Sequence, residues 1–126
     1  MPFVRIDVLR MPAAELEAVG NAVQQALTES IGIPLDDRFQ VLTNHDGVTG
    51  TLRHGTYLDV PRDDGIVYID ITLRRGRTAG QKQRMYALVC QRLTEQTRVA
   101  PHNVFIAVHE NGEADWSLGH GRAQYL

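Results

Sequence analysis

Val4-Arg5-Ile6-Asp7-Val8 alternates apolar and polar positions, and Val67-Tyr68-Ile69-Asp70-Ile71 does the same at an offset of 63. Alternation at period two marks a strand with one face in a core, so the two segments read as equivalent strands. After each strand the period becomes helical. Leu16, Val19, Val23 and Leu27 form one apolar stripe, and Met85, Leu88, Val89 and Leu93 form the other. Leu27-Thr28-Glu29 returns as Leu93-Thr94-Glu95. Pro12 suits the first turn of the first helix, and Thr78 with Gln81 predicts a capping box for the second. Both helices are expected to end before a proline. Ile33-Pro34-Leu35-Asp36-Asp37-Arg38-Phe39 corresponds to Val99-Ala100-Pro101-His102-Asn103-Val104-Phe105, with Phe39 and Phe105 at an offset of 66. Each half therefore reads as a β-α-β unit.

The pattern predicts one domain over residues 1–126: repeat one over about 2–43, a connecting loop over 44–65, repeat two over about 66–108, and a C-terminal β tail over 109–126. The loop is rich in Gly, Asn, Asp and Pro, with a short strand expected around Thr56 to Leu58. In the tail, His109 to Glu113 is expected to turn the chain, and Asp115-Trp116-Ser117-Leu118-Gly119 to begin a small β segment. Right-handed crossovers put the two helices on the same or opposite faces according to strand order, which this pattern leaves open. Val104-Phe105-Ile106-Ala107-Val108 is apolar throughout, so that strand is expected to be covered on both faces. If both helices cover one face, a partner subunit must cover the other.

A chain of 126 residues with 43% hydrophobic content supports one ordinary core. Thirteen Lys plus Arg against fifteen Asp plus Glu, a net charge of -2, leave no basic block for a phosphate backbone, so nucleic acid is not an expected partner. Twelve of the thirteen cations are Arg, which suits planar recognition of carboxylates. Cys90 lies in the apolar pattern of the second helix and is expected in the core, without a disulfide. Neither a signal peptide nor a membrane-spanning run is legible, and a cytoplasmic protein is expected. His45, His54, His102, His109 and His120 lack metal-site spacing, and no phosphate loop, nucleophile elbow or dinucleotide fingerprint occurs. Neither metal nor cofactor is expected.

Three places carry candidate chemistry. Removal of Met1 before Pro2 leaves a secondary amine at the start of a strand. A free α-amine titrates at roughly 7.7 to 8.0 and is readily tuned toward acid or base. By position alone, however, Pro2 only opens a strand. Arg75-Gly76-Arg77 follows the second repeat's first strand, at the strand end where α/β sheets present ligands, and two guanidiniums there can hold one carboxylate. With Arg74 beside them, the same run also reads as a solvated basic turn. Asp37 can orient water or raise an amine's proton affinity, yet Asp36-Asp37 is also an ordinary polar loop.

Together, Pro2, the doubled β-α-β repeat, Asp37-Arg38-Phe39-Gln40, Arg75-Gly76-Arg77 and Asp115-Trp116-Ser117 resemble the malonate semialdehyde decarboxylase family of the tautomerase superfamily. The resemblance runs over nearly the whole chain. It implies an α/β (α+β) fold with a four-stranded mixed sheet and two helices on one face, assembled as a homotrimer. It further implies Pro2 as the catalytic amine, Asp37 as its acidic partner, Arg75 and Arg77 as the arginine pair, and Trp116, Leu118 and Tyr125 as an apolar wall. Gly76 stands where the family has proline, and Leu118 and Tyr125 where the decarboxylase has Phe, which loosens the turn and makes the wall less aromatic. The implied substrate is a small carboxylate-bearing oxo acid. Decarboxylation, hydration and keto-enol tautomerisation of a phenylpyruvate-like acid stay open, as does a non-catalytic trimeric binding protein. The protonation state of Pro2 divides these chemistries: arginines lower its pKa and Asp37 raises it.

Overall fold

The computed structural model describes residues 1–126. Strand β1 spans Phe3–Leu9, helix α1 Ala13–Ile31, β2 Gln40–His45, β3 Val67–Arg74, α2 Ala79–Gln96 and β4 Val104–Asn111, with single 3-10 turns at Pro101–Asn103 and Glu113–Asp115. The four strands form one mixed sheet in the order β2-β1-β3-β4. β1 and β2 are parallel, β3 and β4 are parallel, and β1 meets β3 antiparallel with Ile6 opposite Ile69. That central pair relates the two β-α-β repeats, so each residue of β1 matches the residue 63 positions later. Val4 pairs with Gln40 and Val67 with Val104, which makes Gln40 and Val104 equivalent. Phe39 therefore matches Asn103, not Phe105, because the second repeat carries fewer residues between its helix and its second strand than aromatic matching implied.

Alternation sets which face is buried. Val4, Ile6 and Val8 of β1 and Val67, Ile69, Ile71 and Leu73 of β3 share one core with Val19, Val23 and Leu27 of α1 and Met85, Val89 and Leu93 of α2. Both helices thus lie on one face of the sheet. Burying each such side chain contributes about 1.5 to 3 kcal/mol relative to leaving it in water. Thr78 Oγ1 accepts from the Gln81 amide while Gln81 Oε1 accepts from the Thr78 amide, the capping box that fixes the start of α2. Pro12 immediately precedes α1 and is not inside its first turn. Cys90 is half-buried and lies outside the core, since the apolar stripe of α2 turns its neighbour Val89 inward instead.

The opposite face is open within the chain. It presents Phe3, Arg5 and Asp7 of β1, Tyr68, Asp70, Thr72 and Arg74 of β3, and Phe105, Ala107 and His109 of β4. Phe105 is 42% exposed, so the subunit alone covers β4 on the helix side only. Asp7 Oδ1 lies 2.7 Å from His45 Nε2 across this face. Around Thr56 to Leu58 there is no strand, only an isolated bridge from Tyr57 to Val60. The tail differs as well. His109, Glu110 and Asn111 extend β4 by pairing with Thr72, Leu73 and Arg74, and Asp115 to Gly119 contains no strand. No helix is long and apolar enough to cross a membrane.

Candidate active site

Strand direction brings the candidate residues to one end of the sheet. Antiparallel pairing of Phe3 with Thr72 sets the start of β1 beside the end of β3, and parallel pairing of Arg74 with Asn111 adds the end of β4. The N-terminus, the Arg74–Arg77 run and the tail around Trp116 therefore converge. Asp37 arrives from the turn before β2, which is tied to β1 by the Val4 amide donating to the Phe39 carbonyl at 3.0 Å. Gln24 sets that turn from below. It is 3% exposed on α1, and its Nε2 donates to the carbonyl oxygens of Pro34 and Asp37, both at 3.1 Å. Gly20 on the same helix leaves room for Gln40, whose Oε1 would lie 2.8 Å from any Cβ placed there.

Met1 and Pro2 are both buried. With Met1 attached, the nitrogen of Pro2 is an amide, and the Met1 α-amine is the group at the site. That amine stands 3.6 Å from Asp37 Oδ2. Burial pushes its pKa below the ordinary value, Asp37 works against that shift, and the Arg74 and Arg77 guanidiniums push further down. For the Met1 amine the net direction is downward, with desolvation the largest cause.

Two cavities lie at this end of the sheet, one of them lined by Met1. One of about 420 Å³ is lined by Met1, Phe3, Phe39, Thr72, Trp116 and Leu118 among others, a mostly apolar chamber. The other, of about 540 Å³, is polar and is lined by Arg74, Arg75, Arg77, Gln81 and Asn111, with Gly112 at its edge. Asn111 borders both. Its Oδ1 accepts from Trp116 Nε1 at 2.7 Å, and its carbonyl accepts from the Arg75 amide at 2.8 Å, so one residue ties the apolar wall to the arginine turn.

The candidates do not all point where spacing suggested. Arg77 is half-buried, with Nη1 donating to the Arg74 carbonyl at 3.0 Å, whereas Arg75 is exposed and lies along Gly112. Gly76 adopts φ 130°, which proline, with φ near -65°, cannot reach. The Arg-Gly-Arg turn is thus built differently from an Arg-Pro-Arg turn. Trp116 and Leu118 line the apolar chamber, but Tyr125 does not: its ring lies against Arg74, 3.9 Å from ring centroid to guanidinium carbon. Gln24 and Asn111 have no role in the sequence reading, and Arg74 enters it only as part of a solvated basic turn. Arg74 was discoverable, since it continues the Tyr68, Asp70, Thr72 alternation and falls on the face of Phe3. Gln24 and Asn111 carried no comparable signal.

A family model described as tautomerase enzyme matches residues 37–119. The chain is 36% identical over 128 residues to a probable tautomerase, YusQ, of Bacillus subtilis (strain 168), covering 100% of this chain and 99% of the relative. Among solved structures, it resembles the FG41 malonate semialdehyde decarboxylase inhibited by 3-bromopropiolate, with TM-score 0.88, 38% identity, and 98% of this chain and 93% of that one covered. It also resembles a malonate semialdehyde decarboxylase described with decarboxylase and hydratase activities, with TM-score 0.87, 27% identity, and 98% and 95% covered.

Proposed function

The chain belongs to the tautomerase family, and from that premise we propose that it decarboxylates a small 3-oxo acid of the malonate semialdehyde type, using the amine of Pro2 after Met1 is removed. The observation that carries this reading is the placement of the N-terminus: Met1 and Pro2 are buried, and the Met1 α-amine lies 3.6 Å from Asp37 under the influence of two arginines. Loss of Met1 moves the chain's amine to Pro2 and vacates the part of the apolar chamber that Met1 fills. The similarity to solved malonate semialdehyde decarboxylases supports the substrate class.

In this mechanism the protonated Pro2 amine donates to the substrate's carbonyl oxygen. Arg77, with Arg75 at the outer lip of the polar cavity, holds the carboxylate out of the carbonyl plane. The bond between the carboxylate carbon and C2 then breaks, CO2 leaves, and the electron pair moves into an enolate whose oxygen takes the amine's hydrogen bond. A proton returned to C2 completes the product. Trp116 and Leu118 form the apolar wall that keeps water from competing, and Asp37 opposes loss of the amine's proton.

Tautomerisation of an arylpyruvate enol is the second reading, favoured by one observation: burial and two arginines lower the pKa of the Met1 amine, and the same surroundings acting on a freed Pro2 amine favour the base that proton abstraction needs. Assaying the processed protein on malonate semialdehyde and on enol phenylpyruvate across pH separates the two. Decarboxylation through the ammonium form falls as pH rises through the amine's pKa, whereas base-catalysed tautomerisation rises there. The reading also includes a homotrimer, in which partner subunits cover the open sheet face around Phe105.

A further inference from the structure

We propose that Arg74, held against the ring of Tyr125, pairs with Arg77 to position the substrate carboxylate beside the N-terminal amine; the assignment rests on the oxo-acid reading above. Arg74 is the last residue of β3 and points to the open face of the sheet, where the start of β1 lies. It is half-buried, and its Nε is out of contact with solvent and has no acceptor in the chain.

No carboxylate pairs with it. Arg92 and Arg10 have carboxylate partners in Glu29, Glu95 and Asp64, and Glu110 is engaged by Lys82. A cation half out of water without a counter-charge is costly to the fold, and its place on the polar cavity offers a ligand carboxylate as that complement. The Tyr125 ring packs against the guanidinium carbon at 3.9 Å and holds the group in place, and a guanidinium so held can take a carboxylate through its planar fork of donors. Arg77 Nη1 donates to the Arg74 carbonyl and both residues line the polar cavity, while the Gly76 turn leaves Arg75 exposed along Gly112. The electrostatics agree, since Arg74 acts on the amine more strongly than Arg77 does.

The test uses the processed protein and its Arg74→Gln, Arg74→Lys, Arg75→Gln and Tyr125→Leu variants. Three quantities are read: malonate affinity by calorimetry, the pKa of the N-terminal amine from the pH dependence of its acylation, and KM against kcat for malonate semialdehyde. Arg74→Gln is expected to weaken malonate and raise KM by about tenfold or more, with a smaller change in kcat. It also raises the amine pKa. Arg74→Lys restores the amine pKa but not the malonate affinity, because an ammonium lacks the planar fork. Tyr125→Leu weakens malonate with little effect on the amine, and Arg75→Gln has the smaller effect on both. If the unsubstituted protein binds malonate and turns over no oxo acid, the functional reading fails while the affinity and amine titrations still decide the role of Arg74. Absence of malonate binding, or an Arg74→Gln protein with unchanged affinity and amine pKa, overturns the proposal.

Discussion

Trp116 Nε1 donates to Asn111 Oδ1 at 2.7 Å, joining the apolar wall to the last residue of β4. Trp116 is the chain's single tryptophan, so its emission reports on this site alone. Asn111→Ala removes the acceptor and frees the indole to turn. The expected result is a red-shifted emission maximum and a fall in kcat/KM of about tenfold to a hundredfold, the scale at which small misplacements act. An unchanged spectrum together with unchanged kinetics would contradict this role for the pair.

Asp37 opposes the shift that burial and the arginines impose on the amine. Replacing it with Asn removes a negative charge that stabilises the cation, so the amine pKa falls further. If decarboxylation uses the ammonium form, the high-pH limb of the rate profile moves to lower pH in Asp37→Asn. Gln24→Ala, which loosens the same turn through the Pro34 and Asp37 carbonyls, moves it the same way by less. A limb that moves to higher pH in Asp37→Asn would show that the carboxylate does not hold the proton on the amine.

Arg75 and Arg77 differ in burial, and the kinetic cost of removing them should differ accordingly. Arg77→Ala is expected to weaken carboxylate binding by about 1.5 to 3 kcal/mol, the scale of a charge-assisted contact. Arg75→Ala loses less, because its guanidinium is already solvated. Saturation kinetics on an active oxo acid measure both, and a larger loss in Arg75→Ala would reverse the assignment.

Much of this architecture was legible because burial imposes periods. The alternation of Val4, Ile6 and Val8 and of Val67, Ile69 and Ile71, followed by helical stripes, is what a sheet covered on one face by two helices requires. The tail was misread because pairing with Arg74 carries β4 through Asn111, and pairing is a property of two strands, invisible in either segment alone. The site was legible as residue types and obscure as directions. Arg75 and Arg77 looked equivalent in the run, yet Arg77 is half-buried and Arg75 exposed, and it is Arg74 and Arg77 whose charges lower the pKa of the Met1 amine. Tyr125 is placed in the wall by the family resemblance alone. Its position depends on how the tail folds back over Arg74, which no local pattern encodes.

The open sheet face is expected to be the subunit interface, with Phe105 at 42% exposure as one of its apolar anchors. Light scattering at micromolar concentration should return three times the mass of one chain. Phe105→Glu, which places a charge where a partner would bury it, should shift the mass toward that of the monomer while leaving the helical circular dichroism in place. A monomeric unsubstituted protein would contradict the trimer.

The central claim is that a free N-terminal amine at Pro2 is the working group, and the direct measurement compares two forms of one protein whose N-termini are verified by mass spectrometry. In one form Met1 has been removed; in the other it is retained, so that Pro2 is an amide. The processed form is expected to turn over malonate semialdehyde or a related oxo acid, and the Met1-bearing form to lose at least about a hundredfold in kcat, the scale of general acid-base catalysis. Equal turnover by the two forms would mean that Pro2 is not the catalyst.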